Sequence, residues 1–319
     1  MPDKKMRMKN PKISFLMTAH NEERIIRKAL DNLLRIPYGN YETIIGLDGC
    51  TDSTEKIVLE YEKKSKKFRH FNLNLRSGKP AVINKIINYA KGEIIIIHDA
   101  DWIFSVKDKE SLERFLGVFK NKKVGGIAES FPIEWSKENL QRSNLGYRIV
   151  AHTHNYWFSY QREKLAYKRD GVLFAKAPKM FLTNIFRKGL YRKNVSLGDD
   201  FERTKNIMDS GYDIVLFPSA ETPRMISSYS KISLPDLIKQ KIRTAVARKQ
   251  LKTSLNSEVG LFSYYLPANL YILRKSFADG ILKGLYAATW IGINAFAEIA
   301  SKFSKLNTKE GWKLRAKRQ

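Results

Sequence analysis

Glu93-Ile94-Ile95-Ile96-Ile97-His98-Asp99-Ala100-Asp101-Trp102 decides how this chain folds. Four consecutive isoleucines read as a short strand buried on both faces, the kind found inside a parallel sheet. The run stops at two carboxylates flanking a single alanine. Ligands of open α/β sheets bind just beyond the carboxyl ends of the strands. A carboxylate pair there is costly unless something positive neutralises it. Mg²⁺ or Mn²⁺ does so, usually sharing its coordination with a substrate's phosphates. A solvated Asp-x-Asp turn is the plain alternative, so the rest of the chain must decide.

The 319 residues suffice for one large α/β domain with a C-terminal addition, or for two small domains. An apolar content of 43% excludes a disordered chain. The single cysteine, Cys50, excludes an internal disulfide and fits a reducing, cytosolic compartment. The basic N-terminus is not followed by an apolar run before the first strand, so no secretory signal is expected. The formal charge of +26 attracts polyanions, whether nucleic acid, anionic headgroups or a phosphorylated substrate. Its late concentration from Lys302 to Arg318 reads first as a solvated tail.

Upstream of the opening stretch, strand and helix alternate. Ile13 to Thr18 is the first strand, ending in Ala19-His20-Asn21-Glu22-Glu23, and Ile25 to Leu34 follows with helical spacing. Tyr41 to Leu47 is the second strand, ending in Asp48-Gly49-Cys50-Thr51-Asp52, before a helix from Thr54 to Lys66. A short strand near Phe71 to Leu75 leads through Gly78-Lys79 into a helix from Ala81 to Ala90. This alternation predicts a doubly wound, mostly parallel sheet. No G-x-G-x-x-G or G-x-x-x-x-G-K-[ST] loop is present, so dinucleotide and Walker-type phosphate sites are excluded. Polar and acidic residues stand instead at three strand ends: Asn21/Glu22, Asp48 and Asp99/Asp101. That coincidence favours a nucleotide held with a metal.

These residues resemble the inverting family 2 glycosyltransferases of GT-A fold, over Ile13 to about Arg248. Ala19-His20-Asn21-Glu22-Glu23 is similar to that family's Y-N-E-E signature. Leu47-Asp48-Gly49-Cys50-Thr51-Asp52 is similar to its D-D-G-S-T-D turn, with Leu47 and Cys50 as departures. Gly78-Lys79 with Asn84, and Gly92 to Asp101, match its G-K-x-x-x-x-N and D-A-D segments. The resemblance implies that Ala19, Asn21, Glu22, Asp48 and Lys79 line the donor site, with Asp48 at the base. It implies that Asp99 contacts the nucleotide, and that Asp101, with Asp99, holds Mg²⁺ or Mn²⁺.

Beyond Trp102 the pattern is less regular. Leu112 to Phe119 reads as an amphipathic helix, Val124 to Glu129 as a strand, and Leu140 to Ala166 as a long aromatic-rich helix. His152 and His154, two apart, point to different helix faces and are not expected to chelate. Trp135, Tyr156, Trp157 and Tyr160 read first as core, with a sugar-stacking platform as the alternative. Gly198-Asp199-Asp200 heads a helix to Ser210, followed by a turn and strand from Gly211 to Phe217. Acidic residues there serve ordinarily as caps and dipole partners. The order G-D-D, helix, G-Y, strand resembles hyaluronan-synthase-like members, which implies Asp200 as general base with Asp199 beside it on the acceptor side. Gln240 and Arg243 are similar to the Q-x-x-R-W motif of processive members, with Thr244 in place of Trp. Three residues apart on a helix share a face, and an arginine there suits a diphosphate leaving group.

Leu261 to Leu273 and Ile281 to Ala300 are the most apolar stretches, but Pro267 interrupts one and Lys283, Asn294 and Glu298 the other. Lys275, Asp279, Lys283, Asn294, Glu298 and Lys302 fall near one helical stripe, which predicts an amphipathic helix; lying in the interface of an anionic membrane is favoured over packing on the domain, and a true span comes last. The resulting expectation divides the chain at 1–105 (nucleotide-sugar half), 106–230 (acceptor half) and 231–319 (C-terminal amphipathic region). It describes a metal-dependent inverting glycosyltransferase using a UDP- or GDP-sugar and a saccharide or lipid-linked acceptor. The enzyme is placed peripherally on the inner, cytoplasmic face of the cell membrane. A sugar-phosphate nucleotidyltransferase would be expected to carry a basic Gly-rich loop after the first strand, where His20-Asn21-Glu22-Glu23 stands. A basic nucleic-acid-binding protein explains the charge but leaves three carboxylate clusters without a purpose.

Overall fold

In the computed structural model the described residues are 11–129, 141–179, 181–193, 196–216, 223–227, 231–255 and 261–304. Strand β1 (Ile13–Ala19), helix α1 (Ile26–Leu34), β2 (Tyr41–Leu47), α2 (Thr54–Lys64), β3 (Phe68–Asn72), α3 (Lys79–Ile86) and β4 (Ile94–Asp99) alternate as the sequence predicts. Then come β5 (Trp102–Ser105), α4 (Lys109–Leu116), β6 (Val124–Glu129), α5 (Leu145–Lys164), β7 (Ala166–Arg169), β8 (Val172–Ala175) and β9 (Leu182–Arg187). The chain continues through α6 (Asp199–Asp209), β10 (Asp213–Leu216), β11 (Arg224–Ser227), α7 (Leu234–Leu255), α8 (Leu266–Ala278) and α9 (Ile281–Ala300). Trp135, Phe217 and the basic tail beyond Ser304 lie outside the described residues.

One nine-stranded sheet runs β3-β2-β1-β4-β9-β6-β10-β8-β7. Its first four strands are parallel, with Ile13 opposite both Tyr41 and Ile94. Strand β9 is inserted antiparallel between β4 and β6 and binds the two halves of the sheet together. Strand β10 runs parallel to β6, and the β7–β8 hairpin closes the far edge. Alternate residues of each strand feed two cores. Ile94 and Ile96 pack with Ile13, Phe15, α1, α2 and α4, while Ile95 and Ile97 pack with Leu16, Ile44 and α3 on the other face. The isoleucine run is therefore buried on both faces.

The third strand begins three residues earlier than the sequence reading placed it. Phe68 fills the core against Tyr61. At the other end Asn72 accepts the Asn74 N–H at 2.8 Å, and Asn74 turns left-handed, which ends the strand before Leu75. Helix α5 starts at Leu145 because Asn144 caps the Tyr147 N–H. The single stripe from Lys275 to Lys302 is corrected: Gly280, at φ 133°, breaks it into α8 and α9. The two helices fold back against each other and against α5 and α7. No helix among the described residues is long and apolar enough to cross a membrane.

His98, next to the sheet's central carboxylate, is fully buried, and neither ring nitrogen has a hydrogen-bond partner. Burial holds its imidazole down to about 4 from the usual 6.5, against the opposing pull of Asp99. The unfolded chain therefore takes up this proton first as pH falls, and stability drops between pH 6.5 and 4. At the lower limit the loss attributable to His98 is roughly 3 kcal/mol. A His98→Phe variant is expected to lose most of that acid sensitivity. Urea midpoints of the two proteins at several pH values give the difference, because Glu22 and Asp200 shift in the opposite sense in both. An identical pH dependence would show that the imidazole is not buried as a neutral group.

Candidate active site

Parallel pairing sets Ala19 beside Leu47, so the loops that follow β1 and β2 emerge side by side. They lock together. Asn21, left-handed at φ 57°, accepts the Thr51 N–H at 2.8 Å and donates to Thr51 Oγ1 at 3.1 Å. The Glu22 N–H donates to Thr54 Oγ1 at 2.7 Å, and the Ser53 N–H to Glu23 Oε2 at 3.0 Å. Ala19 contributes its carbonyl, which accepts the Asp48 N–H at 2.8 Å.

Asp48 is buried, and its two carboxylate oxygens accept the N–H groups of Ser77 at 2.6 Å and Gly78 at 2.9 Å. It thereby fastens the loop that launches α3. That close approach requires glycine at 49, where a Cβ would lie 2.8 Å from Arg76 N. Gly78, at φ 90°, then turns the chain into Lys79. Lys79 Nζ reaches across to Asp99 Oδ1 at 2.7 Å. Burial works against the Lys79 charge, but Asp199, Asp99 and Asp200 outweigh it and raise its pKa.

A carboxylate cluster surrounds the end of β4. Burial, followed by the charges of Asp101, Asp52 and Asp99, pushes the Glu22 carboxyl up to about 8. Glu22 Oε2 is buried with no hydrogen-bond partner. Hard oxygen donors under mutual repulsion fit Mg²⁺ or Mn²⁺. Among the described residues, no three His, Cys, Asp or Glu side chains form a complete metal cage. Asp99 and Asp101 alone suit a cation that draws its remaining ligands from a diphosphate and water.

The second half of the site comes from α6. Its first residue, Asp199, is buried and paired with Arg203 one turn on, Oδ2 to Nη1 at 2.8 Å. Burial opposes ionisation of Asp199, yet the cations of Lys79, Arg203 and Arg243 hold its carboxyl below the usual range. Asp200 goes the other way. Burial and then the adjacent Asp199 charge push it up to about 6, while its Oδ1 accepts the Phe201 N–H at 2.8 Å. Neighbouring carboxylates with opposite shifts are an arrangement suited to acid–base chemistry. Gln240 and Arg243 of α7 both reach it, and Arg243 Nη2 donates to the Leu197 carbonyl just before α6 at 3.4 Å. Lys79, Asp99, Asp199, Asp200, Gln240 and Arg243 line one cavity of about 800 Å³. Ala19, at the end of β1, and Asn21, Glu22, Asp48 and Asp101, in the turns after β1, β2 and β4, stand outside its lining.

The model for glycosyl transferase family 2 matches residues 14–189, more than half of the chain. The chain belongs to this family. It is 31% identical over 159 residues to a beta-monoglucosyldiacylglycerol synthase of Nostoc, a match covering 49% of this chain and 33% of that protein. It is also 31% identical over 115 residues to a poly-beta-1,6-N-acetyl-D-glucosamine synthase of Staphylococcus epidermidis, covering 36% and 27%. The matched stretch thus spans a third or less of these curated relatives. Among solved structures, the Pyrobaculum calidifontis mannosyltransferase in complex with GDP-Man and Mn²⁺ aligns with a TM-score of 0.60 at 17% identity, over 94% of this chain and 89% of that one. The likeness establishes the GT-A fold.

Several residues of this family 2 site were not singled out from the sequence. Arg203 donates to Asp199, to Asn184 Oδ1 at 2.8 Å and to the Thr183 carbonyl at 2.9 Å. Its four-residue spacing from Asp199 was a readable signal. The C-terminal region contributes Tyr264, Tyr265, Trp290 and Asn294 to a wall of the same cavity, joined by Trp157 of α5. Trp157, read as core, donates to Tyr264 Oη at 2.7 Å, and Lys241 lies 4.7 Å from the centre of the Trp290 ring. Tyr156 instead ties α5 to the end of α8 through Asp279 at 2.7 Å, while Tyr160 is buried. His152 stacks on Tyr286, whereas His154 sits edge-on to Trp290 and lines the same cavity.

Proposed function

We propose that this chain transfers a sugar, with inversion, from a UDP- or GDP-sugar to an acceptor hydroxyl or lipid-linked acceptor. The supporting observation is that the Lys79–Asp99 pair and the Asp199–Asp200 pair line one cavity although they come from opposite halves of the sheet. Asp48 holds the loop at the base end of the donor site, which Ala19, Asn21 and Glu22 complete. Lys79, Arg243 and Gln240 face the diphosphate. Asp99 and Asp101 are the residues to hold Mg²⁺ or Mn²⁺, which when bound neutralises charge on the departing diphosphate. Asp200, close to neutral pH in its titration, takes the acceptor proton.

The same reading puts the enzyme on an anionic membrane surface. Exposed Phe277, Ile281, Leu282, Leu285, Phe296 and Phe303 cover α8, α9 and the turn after them. Lys275, Lys283 and Lys302 stand among these apolar side chains. That combination suits interfacial binding.

Calorimetric titration with UDP and with GDP, each with and without Mn²⁺, tests the donor site. Metal-dependent binding of one nucleotide is expected, and Asp101→Ala is expected to abolish the metal dependence. Absence of binding by either nucleotide under every metal condition would remove the basis of the transferase reading.

A further inference from the structure

Two of the cations in this site are held in opposite ways. Arg203 is 2% exposed and meets Asp199, Asn184 and the Thr183 carbonyl at once. A guanidinium fixed in three directions cannot leave Asp199 without stranding all of its partners. Lys79 is held at one end only. Its ammonium pairs with Asp99 at 2.7 Å, and the two side chains are 22% and 42% exposed. Its backbone is the fixed part. The Ser77 and Gly78 N–H groups before it donate to Asp48, and Pro80 follows it in the first turn of α3. A flexible methylene stem separates that anchor from the charge, so the ammonium can swing while α3 stays still.

The ammonium stands between two sets of carboxylates. Asp99, one of the pair suited to Mg²⁺ or Mn²⁺, holds it on one side, while Asp199 and Asp200 draw its charge from the other half of the sheet. A divalent cation and the ammonium on the same carboxylate repel each other at short range. They compete for Asp99. A diphosphate resolves the competition, because it offers the ammonium a second anionic partner in the cavity that Lys79 and Asp99 both line.

We infer that Lys79 is a placeholder at Asp99, which it yields to the divalent cation only when a nucleotide diphosphate takes its ammonium. The inference rests on the transferase reading above and deepens it by assigning an order of binding. Nucleotide binds before the cation or together with it, and the cation alone binds weakly. Lys79 thus keeps Asp99 neutralised between turnovers without a tightly held metal. When the diphosphate departs, Lys79 returns to Asp99 and loosens the cation's hold, which favours release of both.

Titration of the full chain with Mn²⁺ alone, followed by the electron paramagnetic resonance signal of unbound Mn²⁺, tests this. Lys79→Met and Lys79→Gln are each expected to tighten Mn²⁺ binding by about ten-fold. The same variants should bind UDP or GDP about ten-fold more weakly in EDTA. Opposite signs in one protein exclude a loss of fold, which would weaken both. Lys205 also lines the cavity but pairs with Asp209, so Lys205→Met removes an equal charge and should leave Mn²⁺ affinity within about two-fold of wild type. In an Asp99→Asn background, Lys79→Met should no longer tighten Mn²⁺ binding, because the contested carboxylate is gone. Mn²⁺ affinity unchanged or lowered in both Lys79 variants would overturn the inference. Equal tightening by Lys205→Met, or tightening that survives Asp99→Asn, would overturn it too. Nucleotide titration of the wild type separates the two failures. Metal-dependent UDP or GDP binding alongside any of those results overturns this inference alone, whereas absent nucleotide binding removes the transferase reading beneath it.

Discussion

Asp200→Asn is expected to lower turnover by about two to four orders of magnitude while leaving nucleotide affinity nearly unchanged. The substitution is close to isosteric, and the amide oxygen can still accept the Phe201 N–H that Asp200 accepts at 2.8 Å. What it removes is the only function an amide lacks, uptake of a proton. The pH profile carries the stronger test. Burial and the Asp199 charge push Asp200 up to about 6, and only its ionised form is a base. The wild-type kcat/KM should therefore rise as pH passes through about 6 and level above it. The variant should be low and flat across the same range. Nucleotide binding lost together with activity would move Asp200 from the base role to the donor site.

The parallel half of the sheet was legible because its signals are local. Four isoleucines bounded by Gly92 and Asp99 admit few readings, and the acidic loops follow their strands at once. The other half was built from pairings the sequence does not advertise. Strand β9 enters the sheet between β4 and β6, about ninety residues from β4, so no neighbouring pattern announces it. The β7–β8 hairpin did leave a sign. Asp170-Gly171 has positive φ at both residues, the turn that suits a two-residue hairpin, yet the four-residue strands around it are too short to alternate clearly. The site divides the same way. Asp99, Asp101, Asp199 and Asp200 sit at element ends and could be read, whereas the wall of Trp157, Tyr264, Tyr265 and Trp290 exists only once Gly280 folds α9 back along α8. Aromatic residues on an amphipathic helix look the same in sequence whether they fill a core or line a cavity.

Arg203→Met should destabilise the protein by about 3–5 kcal/mol, a large share of the stability of an ordinary domain. Arg203 is 2% exposed, and its guanidinium meets three partners in different directions: Asp199, Asn184 and the Thr183 carbonyl. It also lies 5.6 Å from the centre of the Phe186 ring. Methionine fills much of the volume but leaves the buried Asp199 carboxylate without its nearest cation. Breaking one side of a buried pair costs far more than the pair itself contributes. The charge is the cause, so Asp199→Asn in the Arg203→Met background should recover part of the loss, a coupling readable from a double-mutant cycle. Arg203→Lys should recover less than its charge implies, because an ammonium cannot reproduce the planar fork that meets Asp199 and Asn184 together. Urea unfolding of the five proteins (wild type, the two single variants of the cycle, the double variant and Arg203→Lys) decides the matter. A loss below about 1 kcal/mol for Arg203→Met would mean that Lys79 and Arg243 suffice to neutralise Asp199, and would move the structural burden of this site from α6 to α3 and α7.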